Sequence, residues 1–143
     1  MEISFMTQNV AMPPIDAEAF EGWIEEVARR HGKRVGALTY VLCDDEYILA
    51  TNRQFLSHDY YTDIITFDYS NSHRIAGDMV ISLDTVRSNA EQLGVDYNTE
   101  LLRVLVHGVL HLCGINDKGP GEREIMEQHE NEALTIAPSN ILE

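Results

Sequence analysis

The chain has 143 residues, 44% of them hydrophobic, and a formal net charge of −14 at pH 7. That length fits one domain with a substantial core, residues 1–143, and no stretch approaches the roughly 20 apolar residues that a membrane span needs. The acidic surplus runs against extensive phosphate contact, because a protein that embraces many phosphates normally carries a basic footprint.

Residues 2–9 alternate as a strand does, and Pro13-Pro14 separates them from a helix capped by Asp16, with Phe20, Trp23, Ile24 and Val27 as its apolar stripe. Gly32 stops that helix. Arg29 and Arg30 answer its negative C-terminal end, or join His31, Lys33, Arg34 and Arg53 in a local positive strip. A second strand is expected over Ala37 to Cys43, then a helix capped by Asp44-Asp45 and running to about Leu56. Ser57 to Asp63 reads as a polar loop. Ile64 to Tyr69 and Gly77 to Ser82 read as an antiparallel hairpin at a sheet edge, and a helix follows over Leu83 to Leu93, ended by Gly94. Asn98 or Thr99 caps a long apolar helix through Cys113. Gly119-Pro-Gly121 opens a final helix over Glu122 to about Leu134, whose Glu127, His129, Glu130 and Glu132 suggest a solvated face. Strands alternating with helices, with one hairpin, indicate an α+β domain with a mixed sheet of about four strands and the apolar helix near its centre.

The N-terminal residues lack a basic region followed by an apolar one, so a cytoplasmic protein is expected. Two cysteines are too few for a disulfide framework and suit a reducing compartment. Cys113 lies off the face of His111 and reads as a small buried hydrophobe, and neither cysteine is placed in the site.

The segment His107-Gly-Val-Leu-His111-Leu-Cys-Gly114-Ile-Asn-Asp117 carries the chemistry. The i,i+4 spacing puts both imidazoles on one helix face. A glycine at 114 can turn left-handed, end the helix and send the chain back, which brings Asp117 to the same place. Two imidazoles and one carboxylate are a donor set for zinc or another divalent transition metal, with a fourth position open. Hydrolysis is then the natural reaction class. A zincin-type metalloprotease would place Glu directly after the first histidine to accept the water proton, and Gly108 cannot do this. An Fe(II) oxygenase uses a similar donor set but needs no such helix and return turn, and ranks lower. His58, Asp59 and Asp63 are candidate bases, or turn and capping residues. Asp78 can orient a histidine or serve the entry of its strand. His31 and His73 give no comparable signal.

These residues resemble the YbeY family of metal-dependent endoribonucleases, whose pattern His-Gly-x-Leu-His-Leu-x-Gly-x-x-His is matched at His107, Gly108, Leu110, His111, Leu112 and Gly114. Asn52 to Leu56 and Thr62 to Phe67 are similar to that family's Leu-Asn-x-x-Tyr-Arg…Thr-Asp-Val-Leu-Ser-Phe segment. Gly77 to Ser82 is similar to its Gly-Asp-Ile-x-Ile-Ser strand. Two positions depart from the pattern. Asp117 replaces the third histidine, and Leu56 stands where the family has an arginine; Arg53, three residues earlier, is the substitute on offer. The resemblance implies a zincin-like domain and one zinc ion on His107, His111 and Asp117. It further implies cleavage of single-stranded RNA in ribosomal RNA processing and ribosome quality control, with the ribosome or a ribosomal protein as partner. The alternative outside enzymes is a ribosome-assembly binding module whose metal orders Ile115 to Gly121.

Overall fold

Alternating apolar strands and amphipathic helices build a two-layer arrangement, seen in a computed structural model that describes residues 1–56 and 62–142. Strands β1 (Glu2–Gln8), β2 (Arg34–Cys43), β3 (Ile64–Asp68) and β4 (Arg74–Ser82) form one mixed sheet in the order β1-β2-β4-β3. β1 and β4 both run parallel to β2, while β3 runs antiparallel to β4 with Ile64 opposite Ile81 and Asp68 opposite Gly77. The expected hairpin is therefore present, and β3 is an edge strand.

The helices are α1 (Ala17–Arg30), α2 (Asp45–Thr51), α3 (Leu83–Leu93), α4 (Tyr97–Leu112) and α5 (Glu122–Thr135). Asp16 caps α1 by accepting from the Ala19 N–H at 2.9 Å, and Asp44 caps α2 by accepting from Tyr47 at 3.0 Å. Three expectations shift. α4 begins at Tyr97 after Asp96, ahead of Asn98 and Thr99. β2 and β4 start earlier than their apolar runs, because sheet hydrogen bonding continues through Arg34 and Arg74. The second helix does not run uniformly to Leu56: it passes into a π-helical turn over Asn52–Leu56. The wider i→i+5 winding changes the direction of Arg53 relative to Leu56 from what an α-helix would give.

One face of the sheet carries the main core. Leu38, Tyr40, Leu42, Ile75, Met79 and Ile81 meet Leu101, Leu105, Val109 and Leu110 of α4 and the aromatic stripe of α1. Two buried polar groups are satisfied by backbone: the Trp23 indole donates to the Ala133 carbonyl at 2.8 Å, and the Tyr40 hydroxyl to that of Leu105 at 3.1 Å. The other face holds a smaller cluster of Cys43, Ile48, Ile65 and Val80. α4 is thus the central helix, lying against the sheet with one polar stripe turned toward α5.

Candidate metal centre

Close approach of α4 to the sheet sets the site. A Cβ at Gly108 would stand 2.5 Å from the Met79 sulfur and 3.1 Å from the Ile64 Cδ1, so a side chain after His107 would have to push Met79 aside and a long one has no room. The helix ends as its sequence suggests. Gly114 has φ 101°, its N–H donates to the His111 carbonyl at 3.0 Å, and the Ile115 N–H reaches back to the Leu110 carbonyl at 3.1 Å. This pair of bonds is a Schellman closure, with Ile115 folded back onto the core. It returns the chain past the last turns of α4.

Asp117 consequently meets His107: its Oδ2 lies 3.4 Å from the His107 Nε2. That separation is long for a hydrogen bond. It is a separation at which both atoms could hold one ion between them. On its other side, the His107 Nδ1 lies 2.7 Å from the Glu130 Oε2. Glu130 also accepts from Arg103 at 3.0 Å, and Arg103 donates to the Asn131 side chain at 2.8 Å. Only 11% of the Glu130 side chain is exposed, so this is a sheltered Arg103–Glu130–His107–Asp117 line.

The electrostatics agree with it. Burial raises the Glu130 pKa, but hydrogen bonds from His107 and Arg103 outweigh it, and the net shift is downward, which keeps Glu130 ionised. An ionised Glu130 accepts, so the Nδ1 of His107 carries a proton, and in the neutral imidazole Nε2 is the nitrogen left to take an ion on the Asp117 side. For His107, burial lowers the pKa; Glu130, by hydrogen bond and charge, then Asp117 and Asp63 overcome this, giving a net rise. Asp63 is raised, chiefly by burial, against the attraction of His107. Glu100, buried at the start of α4, is also raised by burial.

His107 and Asp117 are therefore brought together, and His111 stands one turn further along the same helix, half-buried. Among the described residues, no three His, Cys, Asp or Glu side chains are gathered at metal-binding spacing. The pair is in place, and the donor chemistry of His107, His111 and Asp117 fits a transition metal. Arg53 is exposed on the π-helical turn. Asp63 ends its loop beside this centre, whereas His58 and Asp59 lie outside the described residues. Asp78 sits within β4, opposite Phe67 and Thr39, and the carboxylate that holds His107 is Glu130.

On α5, Glu127 and Glu132 are solvated as expected, while Glu130 is buried and differs. Glu130 shares a buried stripe with Met126 and Ala133, at i,i+4 and i,i+7 spacing, which is the signal that marks it out. His129 is half-buried too, its ring 5.0 Å from that of His31. Arg29 and Arg30 both pair with Glu26, at 2.7 and 2.9 Å, in the last turns of α1.

A polar line of this kind on a central helix invites comparison with known proteins. A family model described as Endoribonuclease YbeY matches residues 4–137. The chain belongs to the endoribonuclease YbeY family. Among its relatives, the Endoribonuclease YbeY of Phocaeicola vulgatus is 63% identical over 134 residues, covering 94% of this chain and 97% of the relative. That of Parabacteroides distasonis is 58% identical over 138 residues, covering 96% and 97%, and that of Porphyromonas gingivalis 49% over 140 residues, covering 98% and 93%. The solution structure of TM1509 from Thermotoga maritima shares the fold, with a TM-score of 0.65 at 24% identity over 96% of this chain and 93% of that one. Among the described residues, no helix is long and apolar enough to cross a membrane.

Proposed function

We propose that this chain is a zinc-dependent endoribonuclease that cuts single-stranded RNA and acts, in the cytoplasm, in ribosomal RNA maturation and ribosome quality control. The observation that carries the metal part of this reading is His107, held at Nδ1 by Glu130 with its Nε2 turned to Asp117. Carboxylate-held histidines of this kind are the usual form of a metal ligand, because the second hydrogen bond fixes tautomer and ring direction. Family membership and the names of the relatives support RNA as the substrate.

His107, His111 and Asp117 would hold the ion, which when bound supplies positive charge against a developing phosphoryl oxygen and lowers the pKa of water. Glu130 keeps the Nδ1 proton on His107, and Arg103 anchors Glu130 from the opposite side. Asp63 is a half-buried carboxyl whose pKa is raised chiefly by that burial, suited to hold a proton beside the reacting group. Arg53 offers a cation for a phosphate on the approach to the site. The packing of Gly108 against Met79 opposes a metalloprotease, since the glutamate such an enzyme needs has no space there.

The test is metal analysis of the purified protein, together with its action on single-stranded RNA and on a denatured protein. One zinc per chain and RNA cleavage that is lost with a chelator and regained with zinc are expected, with the denatured protein left intact. Cleavage of protein but not RNA would sink the reading. RNA binding unaffected by metal and without cleavage would favour the assembly module.

A further inference from the structure

The side of β3 facing away from α4 carries aromatic rings, two of which the core leaves uncovered. Ile65, Phe67 and Tyr69 alternate to one side of the chain, and Ile65 and Phe67 pack with Ile48, Val80 and Tyr47 in the smaller core. Tyr69 continues the ladder, donating its N–H to the Ala76 carbonyl at 2.8 Å. Phe55, from the π-helical turn, meets Phe67 edge to face, with ring centroids 5.7 Å apart and planes at 79°. Phe55 is 61% exposed and Tyr69 64% exposed, and among the described residues these are the two aromatic side chains left open to solvent. Elsewhere the fold buries its rings: Phe20, Trp23 and Tyr40 are at most 2% exposed.

The strand that carries this row starts beside the metal centre, with the row on its opposite side. Asp63, the residue before β3, feels the charge of His107, and Ile64 abuts Gly108. At about 3.4 Å per residue along a strand, Phe67 stands about 14 Å from Asp63 and Tyr69 about 20 Å. Those are distances of a few nucleotides.

We infer that Phe55, Phe67 and Tyr69 form a platform on which bases of single-stranded RNA stack, a few nucleotides from the cleaved bond. The inference rests on the endoribonuclease reading and adds the groups that seat the substrate. Charge argues for it. The chain carries a net −14 with only ten Lys and Arg, three of which, Arg29, Arg30 and Arg103, pair with Glu26 and Glu130, so phosphate contacts are few and a charge-independent contact adds what they do not supply. Stacking on a π face does not depend on net charge and accepts any base. It also selects single strands, because the bases of a duplex are already stacked on one another and closed to side chains.

The experiment uses the zinc-loaded full chain. Phe55→Ala and Tyr69→Ala should each raise KM for a 12-residue single-stranded RNA by roughly tenfold, far more than they lower kcat, and Phe55→Tyr should restore it. The salt dependence of KM should keep its slope in both alanine variants, since no phosphate contact is lost. In Phe55→Trp the new indole is exposed, while Trp23 is buried, so addition of the RNA should quench its fluorescence. No quenching, or KM unchanged in both alanine variants of an RNA-cleaving protein, overturns the platform. If the parent fails to cut RNA while the Phe55→Trp signal is quenched by it, the platform stands and the endoribonuclease reading falls.

Discussion

The Nδ1 of His107 lies 2.7 Å from Oε2 of Glu130, a contact that joins two helices across 23 residues of chain. It decides which nitrogen of His107 is available. Glu130→Gln keeps the shape but removes the charge that holds the proton on Nδ1, so zinc affinity should fall about 10- to 100-fold by competition with a chelator. Glu130→Ala should also cost roughly 1–3 kcal/mol of folding stability, because the His107 Nδ1 loses its acceptor and Arg103 keeps only Asn131. Unchanged zinc affinity in both variants would remove Glu130 from the site.

Asp117 stands 3.4 Å from His107 and supplies the anionic donor of the proposed set. Asp117→Ala should lose most bound zinc and RNA cleavage together, while Asp117→His should retain both, since a third imidazole suits the ion. Metal analysis of the two variants decides it. Full zinc content in Asp117→Ala rejects the assignment.

Two glycines should respond differently to an added methyl group. At Gly77 a Cβ would come within 2.5 Å of the Phe67 carbonyl oxygen, a backbone atom fixed by the β3–β4 ladder. At Gly108 the closest atom is the Met79 sulfur, on a side chain that can shift. Gly77→Ala is therefore expected to cost about 2–3 kcal/mol and Gly108→Ala about 1 kcal/mol, the latter eased by better helix propensity. Urea denaturation gives the order, and a reversed order would contradict the packing described.

Burial first, and then the charges of Asp44, Asp45 and Asp84, push the Cys43 thiol up to about 12 from an ordinary 9.0. Below pH 9 both folded and unfolded chains hold the proton, so its contribution to stability is complete. Above pH 9 the unfolded chain loses the proton first, and stability falls as pH rises toward 12, by up to about 1.4 kcal/mol per unit from this group. Cys43→Ala should show a shallower decline than the parent between pH 9 and 11. Parallel declines would mean that the thiol ionises equally in both states.

Arg53 is exposed on the π-helical turn, three residues from the Leu56 that stands in place of the family's arginine. Arg53→Ala should lower RNA cleavage severalfold with zinc content intact, and shift stability by only about 0.5 kcal/mol or less. Leu56→Arg should raise cleavage. If neither variant changes RNA cleavage or binding, the phosphate contact lies elsewhere.

The sequence by itself determined the parts that depend on neighbouring residues. His107 and His111 fall on one face because an α-helix repeats every few residues, and the return of Asp117 follows from a left-handed glycine three residues after His111. The β3–β4 hairpin and the mixed sheet were legible for the same reason: short apolar runs and a polar turn are local signals. The π-helical turn was not, since Asn52 to Leu56 reads equally well as a continued α-helix. Tertiary structure alone decided the partner of His107. Glu130 is one of several acids on α5, and its place in the Met126–Ala133 stripe marks it as inward-facing without saying what it meets. That meeting depends on how α5 docks on α4, a packing outcome set by the whole core. The open aromatic row is decided the same way: Phe67 and Tyr69 alternate by local rule, but only the docking of the π-helical turn places Phe55 against Phe67.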